Sequence, residues 1–205
     1  NKPMLQEIFI ADEAHDVLKP IEMVEFEEDS VLHLEADIGI LAHRYLELIS
    51  NQGIEAWSVS RIEKLKLAMQ RWFLIKGYAN HFSNEGAVSV MNLLKQTLNS
   101  SDGKWVLLSH NSAQNELAIE RGVLNGQELQ VQRRVIDRTF IEHGVRWIID
   151  YKSTALPANI DSAGLTQVAE QYRQQLEQYG ILFSHDGLPI KLAIYFLSVG
   201  KLVEL

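Results

Sequence analysis

Two apolar runs, Val135-Ile136 and Trp147-Ile148-Ile149, each end on an aspartate, and the pair His143-Gly144 lies between them. A two-residue turn at that pair joins the runs as antiparallel strands and matches Glu142 with Val145, so that every facing pair sums to 287. Asp137 then faces Asp150. Cβ atoms of facing residues lie about 4.5–5.5 Å apart, and like charges set opposite each other destabilise a sheet. Neither aspartate sits in a polar stretch, so their burial is costly unless a proton or a cation intervenes. A divalent cation resolves the conflict, because Mg²⁺ takes carboxylate oxygens and keeps positions for water. The two-residue period of a strand puts Lys152 on the face of Asp150, where an Asp-x-Lys pair can bind a metal with its first residue and orient a water with its second. A turn misassigned by one residue moves Asp137 to the other face. Acids that merely share a proton, in a binding module without metal, are the rival these residues leave open.

The surrounding pattern builds a domain around this hairpin. Ile38, Leu41, Tyr45, Leu46 and Ile49 recur at helical spacing and predict a helix ending near Asn51-Gln52-Gly53. A second helix is expected over 60–80, opening on a capping box from Ser60 to Glu63. A third is expected over 84–99, capped by Ser83, with Val88, Met91, Leu94 and Leu98 on one face. Segments 105–109, 114–122, 128–142 and 145–152 are rich in β-branched and aromatic residues. Turn pairs Asp102-Gly103, Asn125-Gly126 and His143-Gly144 separate them, which predicts a meander of hairpins. A helix over 162–183 and strands over 190–199 and 201–205 complete an α/β domain with a mixed sheet.

Composition limits what the domain can be. The chain has 205 residues, 46% of them apolar, and no cysteine. A chain of this length buries enough surface to fold without a disulfide. The missing thiols exclude a disulfide scaffold, a zinc ribbon, a Cys nucleophile and a Cys-held iron–sulfur cluster, and they favour a reducing compartment. No apolar run reaches the roughly 18 residues of a membrane span, and no basic-then-apolar leader opens the sequence. The expected location is cytoplasmic, with no membrane partner. The net charge of −8 at first opposes a nucleic-acid partner. It is uneven, however. Residues 1–37 carry 11 acids against Lys2 and Lys19, a net of −9, and residues 38–205 carry 17 bases and 16 acids, a net of +1. The expected division is an acidic linker or leader over 1–37 and a functional domain over 38–205, cut from a longer polypeptide.

Four motifs, in order, resemble one family. They are Ile40-Leu41-Ala42-His43-Arg44-Tyr45-Leu46-Glu47, Arg134-Val135-Ile136-Asp137-Arg138, Trp147-Ile148-Ile149-Asp150-Tyr151-Lys152-Ser153, and Tyr172-Arg173-Gln174-Gln175-Leu176-Glu177-Gln178-Tyr179. As a set they resemble the PD-(D/E)XK nuclease superfamily, in particular the RecB/AddA-type domain that ends bacterial recombination-repair helicase–nucleases. The likeness spans about residues 38–205. It implies a restriction-endonuclease-like fold, a mixed central sheet flanked by helices. It departs from the superfamily at Ile136, which stands where the name has Pro, and at Ala42, where Val is commoner.

The resemblance implies a Mg²⁺- or Mn²⁺-dependent deoxyribonuclease acting in double-strand break repair and recombination. Its metal ligands are expected to be His43, Asp137, Asp150 and the carbonyl of Tyr151, with Lys152 positioning the attacking water. Gln175 and Tyr179 lie four apart on one helical face and are expected to support the site or the DNA. Glu116 and Glu47 are second-tier candidates. Arg133, Arg134, Arg138, Arg146 and Arg173 are the candidate phosphate contacts. ATP enters only through an upstream motor, so the expected partners are DNA and a helicase region of the same polypeptide or of a partner subunit. Ile8-Phe9-Ile10-Ala11-Asp12-Glu13-Ala14-His15 looks like a helicase Walker B segment. The chain has no G-x-x-x-x-G-K-[ST] loop to go with it, and the segment reads as a chance match. A catalytically silent nuclease fold that binds DNA or a partner helicase subunit is the alternative, against which the intact Asp137, Asp150 and Lys152 argue.

Overall fold

The computed structural model describes residues 21–125, 128–157 and 159–205. Five helices come first: α1 (Ile21–Gln52), α2 (Val59–Lys64), α3 (Lys66–Ile75), α4 (Asn80–Asn99) and α5 (Ser101–Leu107). Strands β1 (Asn111–Asn125), β2 (Glu128–Glu142) and β3 (Val145–Lys152) follow, then α6 (Ser162–Glu170) and α7 (Arg173–Leu182), then β4 (Ile190–Phe196) and β5 (Lys201–Glu204). The strands form one sheet in the order β1-β2-β3-β4-β5. Only β3 and β4 run parallel; the other neighbours are antiparallel. A parallel pair needs a long crossover, and α6 and α7 supply it. The chain is thus a mixed α/β fold.

Helices cover both faces of the sheet. On one face Leu41, Leu46 and Ile49 of α1, Phe73 of α3 and Val90 and Leu94 of α4 pack with Phe140, Ile149, Tyr151 and Tyr195. On the other, Leu165 and Ala169 of α6 and Leu176 and Tyr179 of α7 pack with Ile136, Ile148, Ile194 and Phe196. Each large side chain fully buried in these layers contributes about 1.5–3 kcal/mol. None of the described helices is long and apolar enough to cross a membrane.

Several elements differ from expectation for local reasons. The boundary between residues 37 and 38 falls inside α1, where Leu34 is buried and Asp37 accepts hydrogen bonds from Lys76 and from the Tyr78 hydroxyl. Burial of the phenol and, after it, the bond to Asp37 push the Tyr78 pKa up to about 12. Helix 60–80 is two helices, broken at Leu65. Its cap is Ser58, whose Oγ accepts from Arg61 N, while Ser60 lies inside α2 and Glu63 binds Lys95 instead of closing a box. Ser83 is likewise not a cap. It is buried inside α4 and donates to the Tyr78 carbonyl. Segment 105–109 is the end of α5 rather than a strand, because Ser100 Oγ accepts from Gly103 N and starts a helix that buries Val106 and Leu107. A short apolar run suits either structure, and here the cap decides it. Helix 162–183 breaks at Gln171-Tyr172 into α6 and α7. The Walker B-like segment and the Asn125-Gly126 turn lie outside the described residues, as does the Arg133 side chain.

Candidate metal centre and its lysine

The β2–β3 register runs from Arg138↔Ile149 to Glu142↔Val145. It is the register expected from the sequence. His143 (φ 50) and Gly144 (φ 77) both occupy the left-handed region, as a type I′ turn demands. One step beyond the last pair, Asp137 comes opposite Asp150, and there the backbone ladder gives way to a side chain. The Tyr151 N–H donates to Asp137 Oδ2 at 2.6 Å.

The regular alternation fails at this point. Residues 136 and 138 should share a face, yet Ile136 packs with α6 and α7 while Arg138 points to the layer of α5. β1 reverses phase at the same level while keeping its register with β2. Asn115 bonds Asn51 of α1, Leu117 packs on the α6–α7 side, and Glu116 between them has φ 47. A positive φ is uncommon for glutamate and is held only where its surroundings enforce it. The flanking pairs Asn115↔Arg138 and Leu117↔Ile136 set Glu116 opposite Asp137. Glu116, Asp137 and Asp150 therefore stand side by side on three neighbouring strands.

α1 brings His43 to this row. His43 Nδ1 is 3.4 Å from Asp137 Oδ1, and its ring meets Tyr151 edge to face with centroids 5.6 Å apart. His43, Glu116 and Asp137 each offer a ligand atom, all within 4.8 Å of one another. Burial alone would lower the His43 pKa, but the bond to Asp137 and the charges of Asp137, Glu116 and Asp150 outweigh it and raise the value. The Glu116 carboxyl is held above its usual range by burial and by Asp137, and the charge of Glu47, one turn beyond His43, adds to this. Asp150 is raised in the same way, by burial and Asp137, against the pull of Lys152. Three carboxylates there face one imidazole and one ammonium.

Asp150 stands beside this cluster. Lys152 Nζ lies 2.7 Å from Asp150 Oδ2, off the hydrogen-bonding directions, so the buried oxygen keeps a charge contact without a well-aligned donor. Gln175 Nε2 donates to Asp150 Oδ1 at 3.3 Å and to the Tyr179 hydroxyl at 2.9 Å. The structure thus joins Lys152, Gln175 and Tyr179 to the acids. Tyr151 contributes its N–H to Asp137; its phenol is buried, without a hydrogen-bond partner among the described residues, and burial raises its pKa.

The arginines divide. Arg138 is 2% exposed and spends its guanidinium on the carbonyls of Val106 and Leu108 and on Asn115 Oδ1, so it cannot reach a phosphate. It ties α5 to β1 and β2 beside the acids. Arg146 is also buried, on Asp186 and over the Phe183 ring. Arg173 pairs with Glu170 at the surface, and Arg134 stays exposed on β2.

One residue quoted in the fourth motif has no role in the sequence reading and still joins the site. Tyr172, at the α6–α7 junction, places its ring 4.2 Å from Lys152 Nζ. Its signal was its spacing, three residues before Gln175 and seven before Tyr179, on one helical stripe. The chain matches no protein-family model and no curated protein.

Proposed function

We propose that this chain is a metal-dependent deoxyribonuclease that hydrolyses DNA phosphodiesters, in the manner of the PD-(D/E)XK enzymes its motifs resemble. The observation that carries the reading is the meeting of His43, Glu116 and Asp137 beside the Asp150–Lys152 pair. The donor set fits Mg²⁺ or Mn²⁺. It offers carboxylate oxygens and one imidazole nitrogen, and a cation would offset the burial and the repulsion from Asp137 that raise Glu116 and Asp150. His43, Glu116, Asp137 and Asp150 would hold it. When bound, such an ion supplies charge to a nonbridging phosphate oxygen and acidifies water.

The chain's own groups do the rest. Lys152 orients the attacking water and offsets charge that grows on the phosphate. Gln175, fixed by Tyr179, holds Asp150 in one rotamer. The Tyr151 N–H holds Asp137 Oδ2 and leaves Oδ1 toward His43. Arg134 is our candidate phosphate contact. We further propose that the domain works in the cytoplasm, coupled to an ATP-driven motor of the same polypeptide or a partner subunit, in break repair and recombination.

The test is cleavage of linear DNA with Mg²⁺, Mn²⁺ or EDTA by the wild type and by Asp150→Ala and Lys152→Ala. Cleavage that needs the cation and is lost in both variants supports the reading. Cleavage indifferent to both substitutions defeats the site. DNA binding without cleavage under every condition points to the silent module.

A further inference from the structure

Asp150 and Lys152 are each held by a separate residue of one helical stripe. Gln175 takes Asp150 Oδ1, and the Tyr172 ring lies 4.2 Å from the Lys152 ammonium. The third contact joins the pair to itself, Lys152 Nζ to Asp150 Oδ2 at 2.7 Å. This last contact is the one a cation would disturb, since Asp150 Oδ2 is the buried oxygen without a well-aligned donor. An ammonium that loses the one carboxylate it pairs with among the described residues would swing toward solvent on a four-carbon stem.

We propose that Tyr172 is a positioning residue for Lys152, an aromatic seat that keeps the ammonium beside Asp150 after the Asp150 carboxylate is engaged. The inference rests on the nuclease reading for its purpose, though its geometry does not depend on it. Tyr172 can serve because the chain breaks at Gln171-Tyr172. α7 starts there with Tyr172 as its N-cap, and the Tyr172 carbonyl accepts from Leu176 N, fixing the backbone under the ring. Lys152 in turn sits at the end of β3, its carbonyl bonded to Leu197 N, so the backbones of both partners are fixed and only the lysine stem is free to turn. The ring quadrupole attracts the ammonium without placing another carboxylate beside it that would compete for a metal. A second carboxylate at the same place would hold Lys152 as well but would bind the cation too.

The experiment uses the full chain labelled with ¹³C-lysine, its Lys152 signal assigned by its loss in Lys152→Arg. In metal-free wild type the Lys152 ε-methylene resonance is expected upfield, shifted by the Tyr172 ring. Tyr172→Phe keeps the shift, and Tyr172→Leu removes it. With Mn²⁺ and linear DNA, Tyr172→Leu lowers kcat about three- to thirtyfold, the scale of one cation–π contact, with little change in KM or in the Tm increase on adding Mn²⁺. Tyr172→Phe restores kcat. A wild-type Lys152 signal without the upfield shift overturns the seat even if the protein cuts DNA and Tyr172→Leu fails to fold. Equal kcat in Tyr172→Leu and wild type overturns it as well. A ring-shifted Lys152 in a protein that never cuts DNA supports the seat and defeats the hydrolytic reading instead.

Discussion

At the closed end of the β2–β3 hairpin, the single Nε1–H of Trp105 is shared by both Glu142 carboxylate oxygens, each 3.0 Å away, and His110 stacks beside it on Phe140 with ring centroids 3.9 Å apart. At the open end, Glu116, Asp137 and Asp150 divide the Tyr151 N–H, one Gln175 amide hydrogen and Lys152 among them. The two ends carry the same chemistry in opposite circumstances. An acid supplied with donors ties elements together. A row of three carboxylates set against one ammonium and one imidazole is poised for a cation, and burial together with the charge of Asp137 raises the pKa of two of its members.

The sharpest way to break this contrast is activity. Asp150→Ala or Lys152→Ala should lower DNA cleavage about a hundred- to a thousandfold, the scale of one transition-state contact. Glu142→Gln should change it by no more than about twofold; a loss there comparable to Asp150→Ala in a single-turnover assay sinks the distinction. Arg138→Met comes next. It leaves two carbonyls and Asn115 unpaired in the interior and should cost about 3 kcal/mol in urea unfolding, and a midpoint equal to wild type would show that the guanidinium is not the tie we describe.

Cations and protons should compete at the open end alone. A carboxyl whose folded-state pKa is raised contributes stability below its unfolded value and loses it as pH rises through the folded value. Glu116 and Asp150 are such groups. His43 acts in the same direction, since its raised pKa favours the protonated ring below its unfolded value and that gain fades as pH climbs. Metal-free protein should therefore lose stability from the acid side toward pH 8, and Mn²⁺ should restore it there. At 100 times its Kd the gain is about 2.7 kcal/mol, or about 5–10 °C in Tm for a chain of this size. The increment should shrink at pH 5, where protons hold the same groups. An equal increment at both pH values in differential scanning calorimetry speaks against ligands that must shed protons. The smallest effect is the most direct comparison: without metal at pH 8, Glu116→Gln should raise Tm by about 1–3 °C and Glu142→Gln should lower it by a similar amount. Shifts of the same sign erase the contrast.

The hairpin was legible from sequence because a two-residue turn leaves no freedom of register once His143-Gly144 is recognised. The α/β class followed from the order of the patterned segments. Other features were hidden for identifiable reasons. Strand logic assumes a constant period, so it put Asp137 and Asp150 on one face and could not foresee the phase reversal at Glu116, which has no compositional mark. Trp105 and Val106 read as strand residues because burial, not backbone preference, governs a short apolar run. Arg138 read as a phosphate contact because charge suggests a surface, whereas its fork is matched by carbonyls brought together only by the fold. Glu116 was given second rank from sequence, yet it is the acid that completes the three-donor cluster.

The phase reversal shared by β1 and β2 has the character of a dislocation in a crystal. On one side of it Asn115, Arg138 and Phe140 keep phase with the α1–α5 layer; on the other, Leu117, Ile119 and Ile136 keep phase with α6 and α7. Such a defect cannot glide. Moving it two residues along either strand would turn Ile136 or Arg138 out of the layer that holds it. The location of the acid row is thus pinned by the apolar and arginine side chains on either side, which never touch a ligand. Removing Glu116 and Asp137 together would restore the alternation on both strands, leave both layers their partners and abolish the site.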